Sequence, residues 1–170
     1  MVLDVTFQLR FGELSAPIAY PELARALDVA VGERVPLGDA REAVLSLRTR
    51  KGMVLDAADP DTWSAGSFFT NPVLDDDAAA ALPTDAPRFA AGAGRTKTSA
   101  AWLIERAGFR RGHGLPGPAA LSTKHTLALT NRGDASASDL VVLAREVRDG
   151  VRSAFGIELE AEPVLVGLSL

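Results

Sequence analysis

The sequence predicts an α+β fold, a small mainly antiparallel sheet with packed helices. Three observations carry this. Leu3, Val5, Phe7, Leu9 and Phe11 alternate with polar residues, as do Ile157, Leu159 and Ala161, which is the period of half-buried strands. Leu140, Leu143, Val147, Val151 and Ala154 recur at helical spacing. Strand and helix signals follow one another irregularly, with no internal repeat, which excludes a regular βαβ array.

Tyr20-Pro21-Glu22 opens a short helix with proline in its first turn. A second helix is predicted from Asp39 to about Arg48, with Asp39 as cap and Val44 and Leu47 facing inward, ending in the basic run Arg48-Thr49-Arg50-Lys51. Gly52 to Thr62 reads as loop. Asp75-Asp76-Asp77 starts an alanine-rich helix that ends near Leu82-Pro83, and Pro87 to Lys97 reads as a mobile loop. Ala100, Leu103, Ile104 and Ala107 form a helix capped by Thr98 or Ser99 and stopped by Gly108, with Trp102 packing against it. After a glycine- and proline-rich loop, Thr126 to Thr130 is a short strand that ends in the Asn131-Arg132-Gly133 turn. Ser136 with Asp139 begins the strongest helix, which Gly156 stops. Val164 and Val166 close the chain as a strand segment beyond Pro163, a residue that marks an edge or bulge because it cannot donate to a ladder.

Composition removes several function classes. The 170 residues include no cysteine, so disulfides, zinc-thiolate sites and a cysteine nucleophile are excluded. Two histidines, His113 and His125, are too few for a histidine-rich metal site, and no metal site is expected. A net charge of −4 argues against nucleic-acid binding, and no apolar run has membrane-spanning length, so a soluble cytoplasmic domain is expected. Arginine outnumbers lysine fifteen to three. Lys51, Lys97 and Lys124 therefore stand out as candidate point-charge partners for a phosphate or carboxylate.

The chemistry concentrates in Gly66-Ser67-Phe68-Phe69-Thr70-Asn71-Pro72. One hydroxyl sits between a glycine, which permits close backbone approach, and two rings that exclude water. That is how a proton donor is kept dry, although a short strand ending in a turn explains the same residues structurally. Gly92-Ala93-Gly94-Arg95-Thr96-Lys97 lacks both the glycine before the lysine of a phosphate loop and the third glycine of a dinucleotide fingerprint. Both motifs are rejected.

Leu3 to Leu9, Arg48 to Met53, Trp63 to Pro72, Lys97 to Gly108, Ser122 to Asn131 and Phe155 to Gly167, in that order, resemble the C-terminal part of the UDP-N-acetylenolpyruvoylglucosamine reductase (UDP-N-acetylmuramate dehydrogenase) family. The resemblance implies an oxidoreductase of peptidoglycan synthesis and cell wall biogenesis, cytoplasmic and tied to cell shape, cell cycle and cell division. In it FAD passes hydride from NADPH to UDP-N-acetylglucosamine enolpyruvate, and this chain would be the α+β C-terminal domain. It implies Ser67 as proton donor and Glu162 as the carboxyl that works with it. Arg48, Lys51, Asn71, Lys97 and Arg110 are implied near the substrate or flavin, with His125 at a polar position of the same cleft.

Some features depart from the family pattern. The family's flavin-binding region is expected to lie outside this segment, so residues 1–15 are expected to be a strand left from the preceding domain and residues 16–170 the substrate-binding domain. Neither FAD nor NADPH is expected on the isolated chain, which should be inactive alone. Thr70 stands where lysine is commoner and Ala161 where proline is usual, while Phe89 falls near a substrate-contacting tyrosine of some relatives. Two readings compete: a non-catalytic UDP-sugar-binding module, and a serine hydrolase using Ser67 with His125, which lacks the Gly-x-Ser-x-Gly signature and a marked third residue. The exposed pattern of Leu3 to Phe11 also leads to the expectation of a homodimer through that strand.

Overall fold

The computed structural model describes residues 2–170, which divide into two units, one ending at Arg50 and the other running from Lys51 to Leu170. In the first, α1 (Pro21–Leu27) begins with proline in its first turn, as predicted, and ends where Asp28 turns left-handed. α2 (Leu37–Arg50) starts two residues before the expected cap, leaving Asp39 in its first turn. Ile18, Ala24 and Val35 form the small core of this unit. The inward face predicted for α2 is corrected: the helix buries no residue, and Val44 is exposed.

Leu3 to Phe11 forms no strand. Its side chains are exposed, Leu3 by 83% and Phe7 by 77%. Alternation specifies which face could be buried, but a strand also needs a hydrogen-bonding neighbour, and none pairs with it among the described residues.

The second unit carries the main core. α3 (Asp76–Ala81) is capped by Asp75, whose carboxylate accepts the Ala78 amide at 2.9 Å. α4 (Ala100–Arg106) is capped by Ser99, not Thr98; the Thr98 hydroxyl is instead buried and donates to the Pro87 carbonyl at 2.8 Å. α5 (Ala137–Phe155) has the predicted capping box of Ser136 and Asp139 and stops at Gly156. Its buried stripe is Val141, Leu143, Ala144, Val147 and Val151, with Leu140 half-buried and Ala154 exposed, so the predicted stripe is rotated slightly. Trp102 packs against Phe155, ring centres 5.8 Å apart.

The strands are short. β1 (Val73–Leu74), β2 (Phe89–Ala90) and β3 (Thr96–Lys97) form an antiparallel sheet in the order β1-β3-β2. The stretch expected to be a mobile loop is therefore a hairpin, closed by Ala91 donating to Arg95 and Arg95 to Gly92, both at 2.9 Å. β4 (Ala119–Leu121) pairs antiparallel with β5 (Leu129–Asn131). β4 lies in sequence read as loop, because Ala-Ala-Leu is buried on both faces and shows no alternation. The run from Ile157 keeps its alternation, with Ile157 and Leu159 buried and Glu158 and Glu160 exposed, but joins the fold through a single bridge. Val164 and Val166 are exposed and in no strand.

Leu103 and Ile104 of α4, Leu121, Leu159 and α5's Val147 and Val151 meet in one cluster of almost fully buried side chains. Truncating Leu103 to alanine should destabilise this unit by about 2–5 kcal/mol, since the cavity it leaves cannot collapse inside so packed a core. Thermal denaturation followed by circular dichroism checks this.

Candidate functional site

The segment after Gly66 is held by backbone on both edges. On one side Ser67 bridges Ala128, and the Phe68 amide donates to the Leu127 carbonyl at 2.8 Å. On the other Phe69 bridges Ala161, the Glu162 amide donates to the Phe68 carbonyl at 2.8 Å, and the Thr70 amide to Glu160 at 3.0 Å. Phe69 is 1% exposed and anchors the segment, with the Phe68 ring edge-on at 5.0 Å. Gly66 takes a φ of 88° that other residues rarely adopt, turning the chain into this pairing.

Ser67 is half-buried, and its Oγ lies 3.3 Å from Nε2 of His125. It also lines a cavity of about 580 Å³ with Trp63, Phe68, Leu140 and Pro163. His125 sits on a tight loop. The buried Ser122 hydroxyl accepts the amides of Lys124 at 3.0 Å and His125 at 3.2 Å, while the Ala128 amide donates to the His125 carbonyl at 3.0 Å. Burial, then the charges of Lys51 and Arg111, hold the His125 imidazole below its ordinary range, so it is neutral at pH 7.

Two carboxylates brace this loop. Asp61, 5% exposed, accepts the Thr123 amide at 2.8 Å, the Thr123 hydroxyl, and Nη2 of Arg132 at 2.7 Å. Burial alone would raise its carboxyl, but the bonds from Thr123 and Arg132 outweigh burial and hold it below the usual range. Asp59 caps the 3₁₀ turn Pro60–Thr62 and pairs with Lys124. Gly52, at a φ of 68°, packs against the Asp61 backbone; an added Cβ would stand 2.9 Å from that carbonyl oxygen. Lys124 thus has the carboxylate partner its position suggested. The bracing role of Asp61 was not read from sequence, although Asp-Pro-Asp before a short turn is a recognisable capping signal.

The other predicted site residues are dispersed. The Glu162 side chain is exposed, while its backbone is fixed beside Phe68. Asn71 accepts the Ala100 amide at 2.9 Å, which commits its carbonyl oxygen to the start of α4, and it borders a separate cavity of about 500 Å³ with Arg95 and Glu160. Lys97 is exposed on β3, opposite both Val73 and Phe89. Arg110 is exposed beyond α4, and Lys51 is half-buried. Arg48 belongs to α2 in the other unit. What converges is Ser67 and His125, with the Lys51 charge acting on the imidazole and Glu162 adjoining through backbone. Among the described residues no cluster of three or more acidic or imidazole groups could hold a metal ion.

The family model for "UDP-N-acetylenolpyruvoylglucosamine reductase, C-terminal domain" matches residues 59–166. The chain belongs to the UDP-N-acetylenolpyruvoylglucosamine reductase family. Curated relatives of that name agree with it along its whole length. The one from Thermobifida fusca is 58% identical over 180 aligned positions, that from Streptomyces avermitilis 60% over 181, and that from Saccharopolyspora erythraea 59% over 183. The chain spans about half the length of these relatives. Within this reductase-family segment the matched region includes Ser67, His125 and Glu162 but not Arg48 or Lys51.

Gly92 and Gly94 lie in the turn between β2 and β3 and not between a strand and a following helix, so they do not form a Rossmann-type diphosphate cradle.

The Asp61 carboxyl has a lower pKa folded than unfolded, so its stabilisation is present above about pH 4 and is lost as pH falls through the depressed folded value. Asp61→Asn should therefore cost about 1–3 kcal/mol at pH 7, where charged hydrogen bonds are lost. Melting curves from pH 7 to pH 3 should show the gap between variant and wild type closing in the acid range.

Proposed function

We propose that this chain is the substrate-binding C-terminal part of an enzyme that reduces UDP-N-acetylglucosamine enolpyruvate during cytoplasmic peptidoglycan precursor synthesis. FAD and NADPH belong to the part of the reductase that this chain does not span, so the chain alone does not turn over. The reading is carried by Ser67, a half-buried hydroxyl beside Phe68, lining a mainly apolar cavity and touching a neutral imidazole. A carbanion formed by hydride addition needs one positioned proton where water is scarce, and Ser67 is the donor. Glu162, fixed beside Phe68, assists at the enolic intermediate.

Lys97 pairs across the sheet with Val73, six positions along the chain from Ser67, and serves an anionic part of the ligand. Lys51, Arg48, Arg110, Asn71 and His125 complete the binding set. The same residues would serve a UDP-sugar-binding module without catalysis.

The Ser67–His125 contact also suits a hydrolase, but a general base must become imidazolium. Burial and the charges of Lys51 and Arg111 oppose that, and no carboxylate is hydrogen-bonded to His125 among the described residues.

In a complete reductase carrying this segment, Ser67→Ala should slow flavin reoxidation by substrate about 100-fold or more while leaving flavin reduction by NADPH nearly intact. Stopped-flow absorbance separates the two half-reactions, and equal impairment of both would show that Ser67 shapes the flavin site.

Leu3 to Phe11 pairs with another strand in the longer protein and, in the isolated chain, with a second copy, giving a homodimer. Its exposed alternating side chains and unpaired backbone provide the template, each large side chain contributing about 1.5–3 kcal/mol when buried. Light scattering should report a dimer for the intact chain and a monomer once residues 1–11 are removed; an intact chain that stays monomeric at high concentration overturns the idea.

A further inference from the structure

Three observations bear on His125 beyond substrate contact. Its spacing from Ser67 is fixed by backbone at both ends: Ser67 bridges Ala128, whose amide donates to the His125 carbonyl at 3.0 Å, and the Ser122 hydroxyl accepts the His125 amide. The ring is polarised into two ends. Nε2 meets Ser67 Oγ at 3.3 Å, whereas Nδ1, on a ring that is only half-buried, has no hydrogen bond to any described residue. The charged groups around the loop are also specific. Lys51 and Arg111 act on the imidazole, Arg111 lies 3.9 Å from Glu105, Glu105 accepts from the Thr126 hydroxyl, and Lys124 is paired with Asp59. None of these carboxylates touches the ring.

We propose that His125 is a proton relay to Ser67, taking a solvent proton at Nδ1 while its Nε2 proton passes to Oγ. The proposal rests on the reading of Ser67 as proton donor. A neutral imidazole is donor and acceptor at once, which is what a relay requires and what the burial and the neighbouring cations preserve.

The step balances without a further reagent. The substrate carbanion's electron pair takes the Ser67 hydroxyl proton, forming C–H as O–H breaks. The pair left on Oγ takes the Nε2 proton, and the ring accepts a proton from water at Nδ1. Imidazole ends neutral in its other tautomer, and exchange of its ring protons with water restores the first. In this step His125 acts on the reacting carbon only through Ser67.

The relay requires the resting tautomer to carry its proton on Nε2, donating to Oγ; a hydrolytic base would carry it on Nδ1 and accept from Ser67. Long-range proton–nitrogen NMR of the chain labelled with ¹⁵N-histidine reads this directly, and His113→Gln assigns the two rings. The Nε2–H form at pH 7 is expected, and the Nδ1–H form overturns the proposal.

In a complete reductase carrying this segment, His125→Gln keeps an amide donor toward Oγ but cannot relay. Flavin reoxidation at saturating substrate should slow roughly tenfold or more, and added imidazole should restore rate to His125→Gly. A wild-type rate in His125→Gln means that only orientation matters and sinks the relay alone. Unimpaired reoxidation in Ser67→Ala sinks the underlying reading of Ser67.

Discussion

The double-edged backbone pairing of residues 67–70 is the constraint on which the site depends. Phe69 fills the core below it, while Leu127 and Ala128 on one side and Glu160 to Glu162 on the other hold the strand in register. A one-residue slip would exchange Phe68 and Phe69 between half-buried and buried positions, which is costly enough to fix the register. Ser67 therefore cannot move without moving the core. This gives the Ser67 hydroxyl the fixed position that the proposed proton transfer requires.

The same pairing links the site to distant sequence. Residues 122–128 reach it as a loop wound on the Ser122 hydroxyl and tied down by Asp61, whose buried charge is tolerable only because Thr123 and Arg132 surround it. The penultimate segment reaches it through Glu160 and Glu162. Three stretches with little secondary structure are thus assembled by hydrogen bonds, and the regular elements α4 and α5 supply the packed floor beneath them.

Electrostatics then sets the chemistry. His125 lies where burial and two cations keep it uncharged, an environment suited to passing a proton and poorly suited to holding one. Asn71, implied near the substrate by the family resemblance, accepts the Ala100 amide at the start of α4 through its carbonyl oxygen.

Local physics was legible in the sequence wherever a signal lies within a few residues. The Ser136–Asp139 capping box, the glycine stop at Gly156, the proline start of α1 and the alternation of Ile157 to Ala161 depend on near neighbours, and each appears in the structure. The Gly-Ser-Phe-Phe segment could be singled out because its residue types already imply a dry hydroxyl. Tertiary structure decided what depends on partners far along the chain. It made a hairpin of residues 89–97, hid β4 in a two-faced interior, left Leu3 to Phe11 without a strand neighbour, and set His125 against Ser67 across 58 positions. Strand pairing and burial are properties of two segments together, and a single segment's pattern states only what it could pair with.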